Sequence, residues 1–270
     1  MAGSCALARA LLCCSASHRP EVSILTVFET WPEFAAVCLV LVVAQAVYVL
    51  FGFGAGLVAV GAMALLVPRV TDVVVLLVLV SAPAEISVVS RARKQIAWRG
   101  IWLLCTGLAI GVVVGTQILS RTEPALILTA LAGVLLLAGA VFLLVPSTRT
   151  MKWPAWSKPV VGFVSGVLAG LFGTGAPPLV VYFQLCGTNK AAFRGNLMAI
   201  FLLTGVVRLP AYALMGLITV PRLWSALAVL PAALLGGWLG HRVHVRVSEG
   251  SFRSLVSVAL CAIGVLLLFR

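Results

Sequence analysis

Long apolar runs recur from one end of the chain to the other, separated by short polar breaks. A helix of about 20 apolar residues is long enough to cross the roughly 30 Å hydrocarbon core of a bilayer. Of the 270 residues, 62% are hydrophobic and only 10% are charged, and the mean hydropathy is +1.18. This composition excludes a soluble globular domain. The sequence therefore predicts an all-α, polytopic membrane protein that is surrounded by the lipid bilayer.

Ten apolar segments can be read from the sequence, and they predict about 8 to 10 transmembrane or re-entrant helices. They run near residues 33–51, 53–67, 72–90, 100–119, 124–145, 159–172, 176–187, 195–215, 223–240 and 252–269. The second, sixth and seventh segments are short for a complete crossing. We expect them to form half-helices that meet inside the bilayer.

The chain divides into an N-terminal tail that we expect to be poorly ordered, two transmembrane repeats and a basic cytoplasmic linker between the repeats. The bounds are 1–32 for the tail, 33–145 for the first repeat, 146–158 for the linker and 159–270 for the second repeat. The repeats match weakly at an offset of about 121 to 125 residues. This offset places Gly52 and Gly54 on Gly173 and Gly175, so we infer an internal duplication.

The basic residues indicate how the two repeats are oriented relative to each other. If each repeat crosses the membrane an odd number of times, twelve Lys and Arg residues lie on one side and only Arg69, Arg121 and Arg222 lie in the opposite short loops. An even number of crossings would place eight of these Lys and Arg residues on one side and seven on the other. The positive-inside rule therefore favours an odd number of crossings per repeat. Because an odd repeat inverts its copy, we predict two inverted repeats related by a pseudo-two-fold axis in the membrane plane, with both termini outside.

The net charge of +12 does not indicate a nucleic-acid partner, because the basic residues sit in short loops where membrane topology requires them. His241 and His244 lie in such a loop without a carboxylate or cysteine close by, and the seven cysteines have no metal-ligand spacing. The sequence contains no serine-hydrolase, zinc-protease or Walker motif. We therefore expect no metal, no cofactor and no catalytic residue.

The stretch GLFGTGAPPL, from Gly170 to Leu179, interrupts an apolar run with glycines and a Pro-Pro pair. Prolines suit the first turn of a helix, so Thr174 or Gly175 would lie near an N-cap. Irregular backbone at this depth must line a cavity or be buried in protein. A helix N-terminus with bare N–H groups favours an anion. The anion-binding residues predicted here are Gly173, Thr174, Gly175 and Pro177.

The stretch FGFGAGL, at Phe51–Leu57, would supply the matching tip from the first repeat. The anion-binding residues predicted here are Gly52, Phe53, Gly54 and Gly56. The alternative is that such glycines only allow helices to pack closely. We prefer this packing interpretation for two pairs with GxxxG spacing, Gly111/Gly115 and Gly236/Gly240.

Two ionisable residues, Glu85 and Arg208, lie within apolar segments, and an offset of 123 residues superimposes them. Charges inside a membrane are costly and usually face the protein interior or a water-filled path. We predict that Arg208 pairs with an anionic substrate and that Glu85 couples transport to protons. The alternative is that each lies near a helix end and extends to the interface. Further candidates to line a path, or to form interhelical hydrogen bonds, are Gln45, Gln117, Gln184, Asn189 and Asn196.

The residues GFVSGVLAGLFGTGAPPLVVYFQLCG, from Gly162 to Gly187, resemble the second-half signature of the TauE/SafE sulfite exporter family, also called the TSUP family. VLFGFGAGLVAVGAMALLVP, from Val49 to Pro68, resembles its first-half counterpart, and the resemblance covers residues 35–269. It implies a multi-pass transporter of small sulfur-containing anions such as sulfite, sulfoacetate and thiosulfate. The chain departs from the pattern at Ala55 and Ala176, where members often have a further glycine.

The predicted function is that of a secondary transporter in the cytoplasmic (inner) membrane that moves a small anion, a sulfur oxyanion or organosulfonate, with proton coupling as a further hypothesis. Its expected partners are the anionic substrate and the bilayer, and a homo-oligomer is left open. The rival hypothesis is a non-transporting membrane scaffold or accessory or assembly factor, in which the glycines serve packing only. An intramembrane enzyme ranks third, because Glu85 alone does not make a catalytic cluster.

Overall fold

The computed structural model describes residues 26–51, 55–67, 69–93, 96–144, 153–154, 156–187, 190–242 and 249–269. These residues form ten α-helices and no β-strand, so the predicted all-α class is confirmed for them. The first five helices are α1 (Trp31–Phe51), α2 (Ala55–Leu66), α3 (Val70–Ala92), α4 (Trp98–Arg121) and α5 (Pro124–Leu144). The second five are α6 (Ser157–Phe172), α7 (Ala176–Leu185), α8 (Lys190–Leu214), α9 (Val220–Arg242) and α10 (Glu249–Leu268).

Six of these helices are long and apolar enough to cross a membrane, namely α1, α3, α4, α5, α8 and α9. Two of the shorter helices, α2 and α7, have 12 and 10 residues. At 1.5 Å per residue they reach about 18 and 15 Å, which is about half of the hydrocarbon core. Helix α6, the third predicted half-helix, has 16 residues and reaches about 24 Å, which is also short of the core. The protein is therefore a multi-pass membrane protein in which α2, α6 and α7 are too short to cross the bilayer alone.

Each of the ten predicted apolar segments corresponds to a helix, with differences of a few residues at the ends. Helix α1 begins at Trp31, inside the predicted tail, and α6 begins at Ser157, inside the predicted linker. Most of the tail, residues 1–25, and most of the linker, residues 146–152 and 155, lie outside the described residues. The division of the chain into a tail, a linker and two repeats therefore stays a prediction.

The most extensive helix contacts recur when the two halves of the chain exchange roles, whereas the contacts of α2 with α5 and α10 have no comparable counterpart at α7. We matched α1 to α5, in order, with α6 to α10. The packing of α4 on α6 then corresponds to that of α9 on α1, and α3 on α9 corresponds to α8 on α4. Helix α3 also packs on its own counterpart α8, and α5 packs on α10. Exchanged pairs of this kind are what a two-fold axis between two copies produces.

The pair α5 and α10 also reveals the relative direction of two matched helices. Gly139, late in α5, lies against Ser257, early in α10, whereas Gly264, late in α10, lies against Ala132, earlier in α5. The two helices are therefore antiparallel. Matched helices that run in opposite directions support the predicted inversion, because copies of the same orientation would cross the membrane in the same direction.

Helices α4 and α6 have the most extensive contact in the described part of the chain, and they interlock through glycines. These glycines are Gly107, Gly111 and Gly115 of α4 and Gly162, Gly166 and Gly170 of α6. A Cβ added at any of them would overlap a backbone carbonyl of the facing helix. Gly236 and Gly240 of α9 meet Val42 and Ala46 of α1 in the same way. The packing interpretation of the two GxxxG pairs is confirmed, because only glycine allows this approach.

An ion pair joins the two halves at the end of the bundle where α3 and α9 begin. Arg222 of α9 contacts Asp72 Oδ1 of α3 through Nε at 2.7 Å and Nη2 at 2.6 Å. Arg222 Nη1 also donates to Leu217 O at 2.6 Å. The backbone N–H of Val27 donates to Ser225 Oγ at 2.7 Å, which holds the segment before α1 against α9. Polar contacts therefore close this end of the bundle.

Candidate functional site

The predicted break between α6 and α7 is present in the structure. Helix α6 ends at Phe172, and Gly173 follows with a φ of 76°, in the left-handed region that favours glycine. Gly175 is the N-cap of α7, and Pro177 lies in its first turn, where a missing N–H has no cost. Ser165 Oγ of α6 donates a hydrogen bond of 2.6 Å to Gly175 O. The start of α7 is thereby held against the side of α6.

The matching break lies between α1 and α2. Gly52, Phe53 and Gly54 fall there, outside the described residues, and their predicted role stays a prediction. Gly56, in the first turn of α2, lies beside the other break, because a Cβ added to it would be 3.3 Å from Thr174 Oγ1. The N-terminal ends of the two short helices therefore border the same space.

A cavity of about 50 Å³ lies where these two ends meet α1, α3 and α8. One water molecule needs roughly 10 to 15 Å³ of such space, so the cavity accommodates a few waters or one small anion. The polar side chains that line it are Gln45, Tyr48, Ser81, Glu85, Thr174, Thr204 and Arg208. Both halves of the chain contribute to this lining, which includes Gly56 at the start of α2 and Gly173, Thr174 and Gly175 at the break before α7.

Arg208 lines the cavity and is only 5% exposed. Its Nη1 donates to Ala169 O at 3.1 Å and to Gly173 O at 2.5 Å, at the C-terminal end of α6. Tyr212 Oη donates to Gly170 O at 2.9 Å in the same turn. A positive charge here compensates the negative end of the helix dipole. Arg208 Nε is buried without a hydrogen-bond partner among the described residues, so one donor of the guanidinium stays unused.

Glu85 lines the same cavity and is also 5% exposed. Tyr48 Oη donates a hydrogen bond of 3.0 Å to Glu85 Oε1. In the described ranges, the ion pair with nitrogen and oxygen atoms within 4.0 Å is that of Arg222 and Asp72. Glu85 and Arg208, which are both described, form no direct salt bridge. The cavity therefore contains a buried acid and a buried guanidinium that do not touch.

Two further groups shape the cavity on the side of α1. Gln45 Oε1 is buried and has no hydrogen-bond partner in the described part of the chain. The Tyr48 ring stacks on Phe201 of α8, with centroids 6.0 Å apart and planes 27° apart. Buried polar atoms normally have partners, so the unused groups of Gln45 and Arg208 favour a polar ligand in this space.

The structure brings most of the predicted site residues together. Those that line the cavity are Gly56, Gly173, Thr174, Gly175, Glu85 and Arg208. Pro177 is not among the lining residues, because it is buried in the first turn of α7, where its ring sets the start of the helix. The roles of all these residues in binding and coupling remain predictions.

The other polar candidates separate into two groups. Gln45 lines the cavity, whereas Gln117, Gln184 and Asn196 do not. Asn196 forms the alternative that we predicted, an interhelical hydrogen bond, since its Oδ1 accepts from Ala97 N at 2.9 Å. Asn189 lies outside the described residues.

Among the polar and aromatic lining residues, sequence reasoning missed four, namely Tyr48, Ser81, Phe201 and Thr204. Spacing could have found three of them. Ser81 lies one turn before Glu85, while Phe201 and Thr204 lie on the same face of α8 as Arg208. Tyr48 had no such signal, because its role depends on a contact between α1 and α3.

Comparison with known proteins identifies the family. The sequence profile described as "Sulfite exporter TauE/SafE" matches residues 37–267, which is most of the chain. The chain belongs to the sulfite exporter TauE/SafE family. It is therefore a membrane transporter rather than an enzyme, since the members of this family are transporters.

Two relatives place this TauE/SafE member among named transporters. A Cupriavidus necator protein named "Probable sulfite/organosulfonate exporter TauE" is 26% identical over 217 residues, covering 79% of this chain and 85% of that protein. A Comamonas testosteroni protein named "Probable inner membrane transporter protein TsaS" is 22% identical over 190 residues, covering 70% and 80%. No solved structure matches the chain.

Proposed function

We propose that this TauE/SafE member is a secondary transporter of a small anion, a sulfur oxyanion or organosulfonate, and that the anion binds in the cavity between the two broken helices. The observation that carries this proposal is the position of Arg208, whose buried guanidinium borders the cavity with Nε unused. An anionic oxygen is the partner that a buried, unpaired guanidinium donor favours. The name of the Cupriavidus relative, an exporter of sulfite and organosulfonates, agrees with this chemistry.

The backbone of both breaks supports the same proposal. The starts of α2 and α7 border the cavity at Gly56 and Gly175, and a helix start carries unpaired N–H groups with partial positive charge. Thr174 Oγ1 adds a hydroxyl that can donate to an oxyanion. The anion would therefore be held by dipoles and by one fixed charge, in a space from which lipid is excluded.

Glu85 is the residue that we propose for proton coupling. The cavity lining contains one guanidinium and one carboxyl group, so the charges of the protein balance there when Glu85 is ionised. A bound anion would add a negative charge close to Glu85, and two like charges in a buried site disfavour each other. Uptake of one proton by Glu85 restores the balance, so one proton would accompany each monovalent anion. The hydrogen bond from Tyr48 keeps the carboxyl group in place.

We propose that the protein lies in the cytoplasmic (inner) membrane with its halves inverted. The Comamonas relative is named an inner membrane transporter. The antiparallel pair α5 and α10 agrees with the inversion. The ends of α3 and α9 that carry Arg91 and Arg242 would face the cytoplasm by the positive-inside rule.

The test is flux of radiolabelled sulfite, sulfoacetate and thiosulfate into proteoliposomes that contain the purified protein. We expect saturable flux of at least one of these anions. Arg208→Gln should lower it at least about tenfold, because a hydrogen bond to a charged group contributes about 1.5 to 3 kcal/mol. Arg121→Gln, which removes an exposed charge at the end of α4, is the matched control. Arg208→Lys separates charge from hydrogen-bond geometry.

Two results would contradict the proposal. If the wild-type protein moves none of the three anions faster than empty liposomes do, the substrate class is wrong and a scaffold or assembly role gains support. If Arg208→Gln, still folded by its melting curve, moves the anion as fast as Arg121→Gln, the anion binds elsewhere.

A further inference from the structure

A cluster of basic side chains lies at the end of the bundle opposite the Asp72–Arg222 ion pair. Arg91 comes from the last turn of α3, Arg194 from the beginning of α8 and His241 from the last turn of α9. Three helices from both halves of the chain thus bring basic side chains to one end of the bundle. None of these residues lines the cavity that contains Arg208.

The three side chains are close enough to influence each other. Ser87 Oγ and His241 Nε2 are 3.1 Å apart, which joins α3 to α9. Helix α3 packs on both α8 and α9, which places Arg91 near the helix ends that carry Arg194 and His241. Arg194 Nε is buried and has no hydrogen-bond partner among the described residues. A guanidinium donor that is removed from water without a partner normally requires an anionic or polar ligand.

Among the described side chains, no carboxylate lies at this end of the bundle. Of the seven acidic residues, Glu29, Glu33, Asp72 and Glu123 belong to the opposite end of the bundle, and Glu85 lines the cavity. Glu249 begins α10 at the basic end, but its side chain and that of Glu21 are not among those described. Three basic groups therefore lie at this end without a carboxylate among the described side chains. Like charges held together in this way favour a mobile anion as counter-ion.

One face of α8 leads from this cluster to the cavity. Arg194, Phe201, Thr204 and Arg208 recur at spacings that place them on the same side of a helix. Arg194 and Arg208 are 14 residues apart, which is about 21 Å along the axis. Phe201 lies between them and stacks on Tyr48 at 6.0 Å, so this aromatic pair separates the two basic positions.

We infer that Arg91, Arg194, His241 and Ser87 form a second anion site, which captures a small oxyanion at the basic end of the bundle before it passes the aromatic pair to the cavity. The binding part of this inference stands on the cluster itself, whereas delivery to the cavity rests on the proposed function. The ligand chemistry is that of a compact oxyanion, which either a soluble anion or the phosphate of a lipid headgroup could supply. We assign the site to the soluble anion.

Binding is tested first, with radiolabelled sulfite and the purified full-length protein in a neutral detergent without lipid. Arg208→Gln serves as the background, because it disables the cavity. We expect this variant to retain one saturable sulfite site. Adding Arg194→Gln should weaken that site about tenfold, and adding Arg91→Gln, at an exposed position, should weaken it less. Adding Arg93→Gln, an exposed charge at the same end of α3, should change nothing.

Transport is tested second, with the Arg194→Gln and Arg93→Gln variants in proteoliposomes of phosphatidylcholine alone or with phosphatidylglycerol. We expect Arg194→Gln to raise KM about tenfold from the basic side only, with kcat unchanged, in both kinds of vesicle. Arg194→Lys should recover part of the loss. A melting curve equal to that of Arg93→Gln shows that the variant is folded.

Four outcomes separate this inference from the proposed function. If Arg208→Gln binds no sulfite, the second site is wrong. The second site is also wrong if Arg194→Gln has the wild-type KM while Arg208→Gln abolishes flux. In both cases the anion site in the cavity of Arg208 is still supported. An effect of Arg194→Gln that appears only with phosphatidylglycerol also overturns the soluble-anion site. If the wild-type protein does not transport sulfite but retains Arg194-dependent binding, the second site stands and the proposed transport of sulfite fails.

Discussion

Replacement of Gly175 by alanine is the sharpest test of the broken helix as an anion site. Gly175 is the N-cap of α7 and has a φ of −106°, which alanine adopts without strain. The substitution is unfavourable because α6 leaves no room for a side chain at this position. A Cβ on Gly175 would overlap Ser165 O and Oγ and would lie 2.9 Å from the Ser165 carbonyl carbon. Because backbone atoms cannot rotate away, the start of α7 must move away from α6.

The size of the effect follows from this displacement. Overpacking by one methyl group typically costs about 1 to 3 kcal/mol. The shift also weakens the hydrogen bond from Ser165 Oγ to Gly175 O, which positions the start of α7 beside the cavity. If the strain falls on the anion-bound state, the affinity for the anion decreases about fivefold to about 160-fold. Insertion into the membrane should not change, because the apolar helices are unaffected.

The assay is uptake of radiolabelled anion by proteoliposomes, with KM and kcat measured for Gly175→Ala and for a matched control, Gly237→Ala. Gly237 lies inside α9 with nothing within 4 Å of an added Cβ. Its replacement should leave transport unchanged and stabilise the helix by about 0.5 to 1 kcal/mol. If Gly175→Ala retains the wild-type KM and kcat, the reasoning is refuted. Transport would then not depend on the position of the break between α6 and α7.

Three further predictions follow from the packing and the charges. Glu85→Gln should retain exchange of labelled for unlabelled anion but lose accumulation driven by a pH gradient; preserved accumulation would remove Glu85 from coupling. Gly111→Ala should lower the melting temperature by roughly 2 to 12 °C, because its Cβ would overlap the backbone of α6. The control Gly133→Ala, where an added Cβ has no atom within 4 Å, should not lower it. Equal melting temperatures of the two variants would contradict the close-packing argument. Asp72→Asn should cost about 3 to 5 kcal/mol by leaving Arg222 unpaired, and a melting temperature equal to the wild type would show that this pair contributes little.

Much of the fold could be predicted from the sequence because the bilayer imposes strict rules on it. A spanning helix must be apolar along its whole length, and irregular backbone must be hidden from lipid. The ten apolar segments therefore correspond to ten helices, and the Gly-rich stretch before Pro177 corresponds to a real break. The weak repeat also predicted that Glu85 and Arg208 occupy matching places, and both line one cavity.

The contacts that give these residues their surroundings could not be predicted in the same way. Arg208 was predicted as a charge partner of the anion, and nothing in the sequence indicated that it also donates to the carbonyl groups of Ala169 and Gly173 at the end of α6. Tyr48 was not predicted at all, although its hydroxyl positions Glu85. The apolar pattern marks which residues enter the membrane, but it carries no information on which helices become neighbours.

The sequence by itself determined that the chain is a multi-pass bundle with two interrupted helices, since hydropathy, glycines and prolines act locally along the chain. Only the tertiary structure decided that the starts of α2 and α7 border one cavity and that the glycines of α4 and α6 interlock. It also decided that the Tyr48 ring stacks on Phe201, which lies between Arg194 and Arg208 on α8. Inside a bilayer all helices present similar apolar surfaces, so close packing of small residues and a few buried hydrogen bonds select the partners.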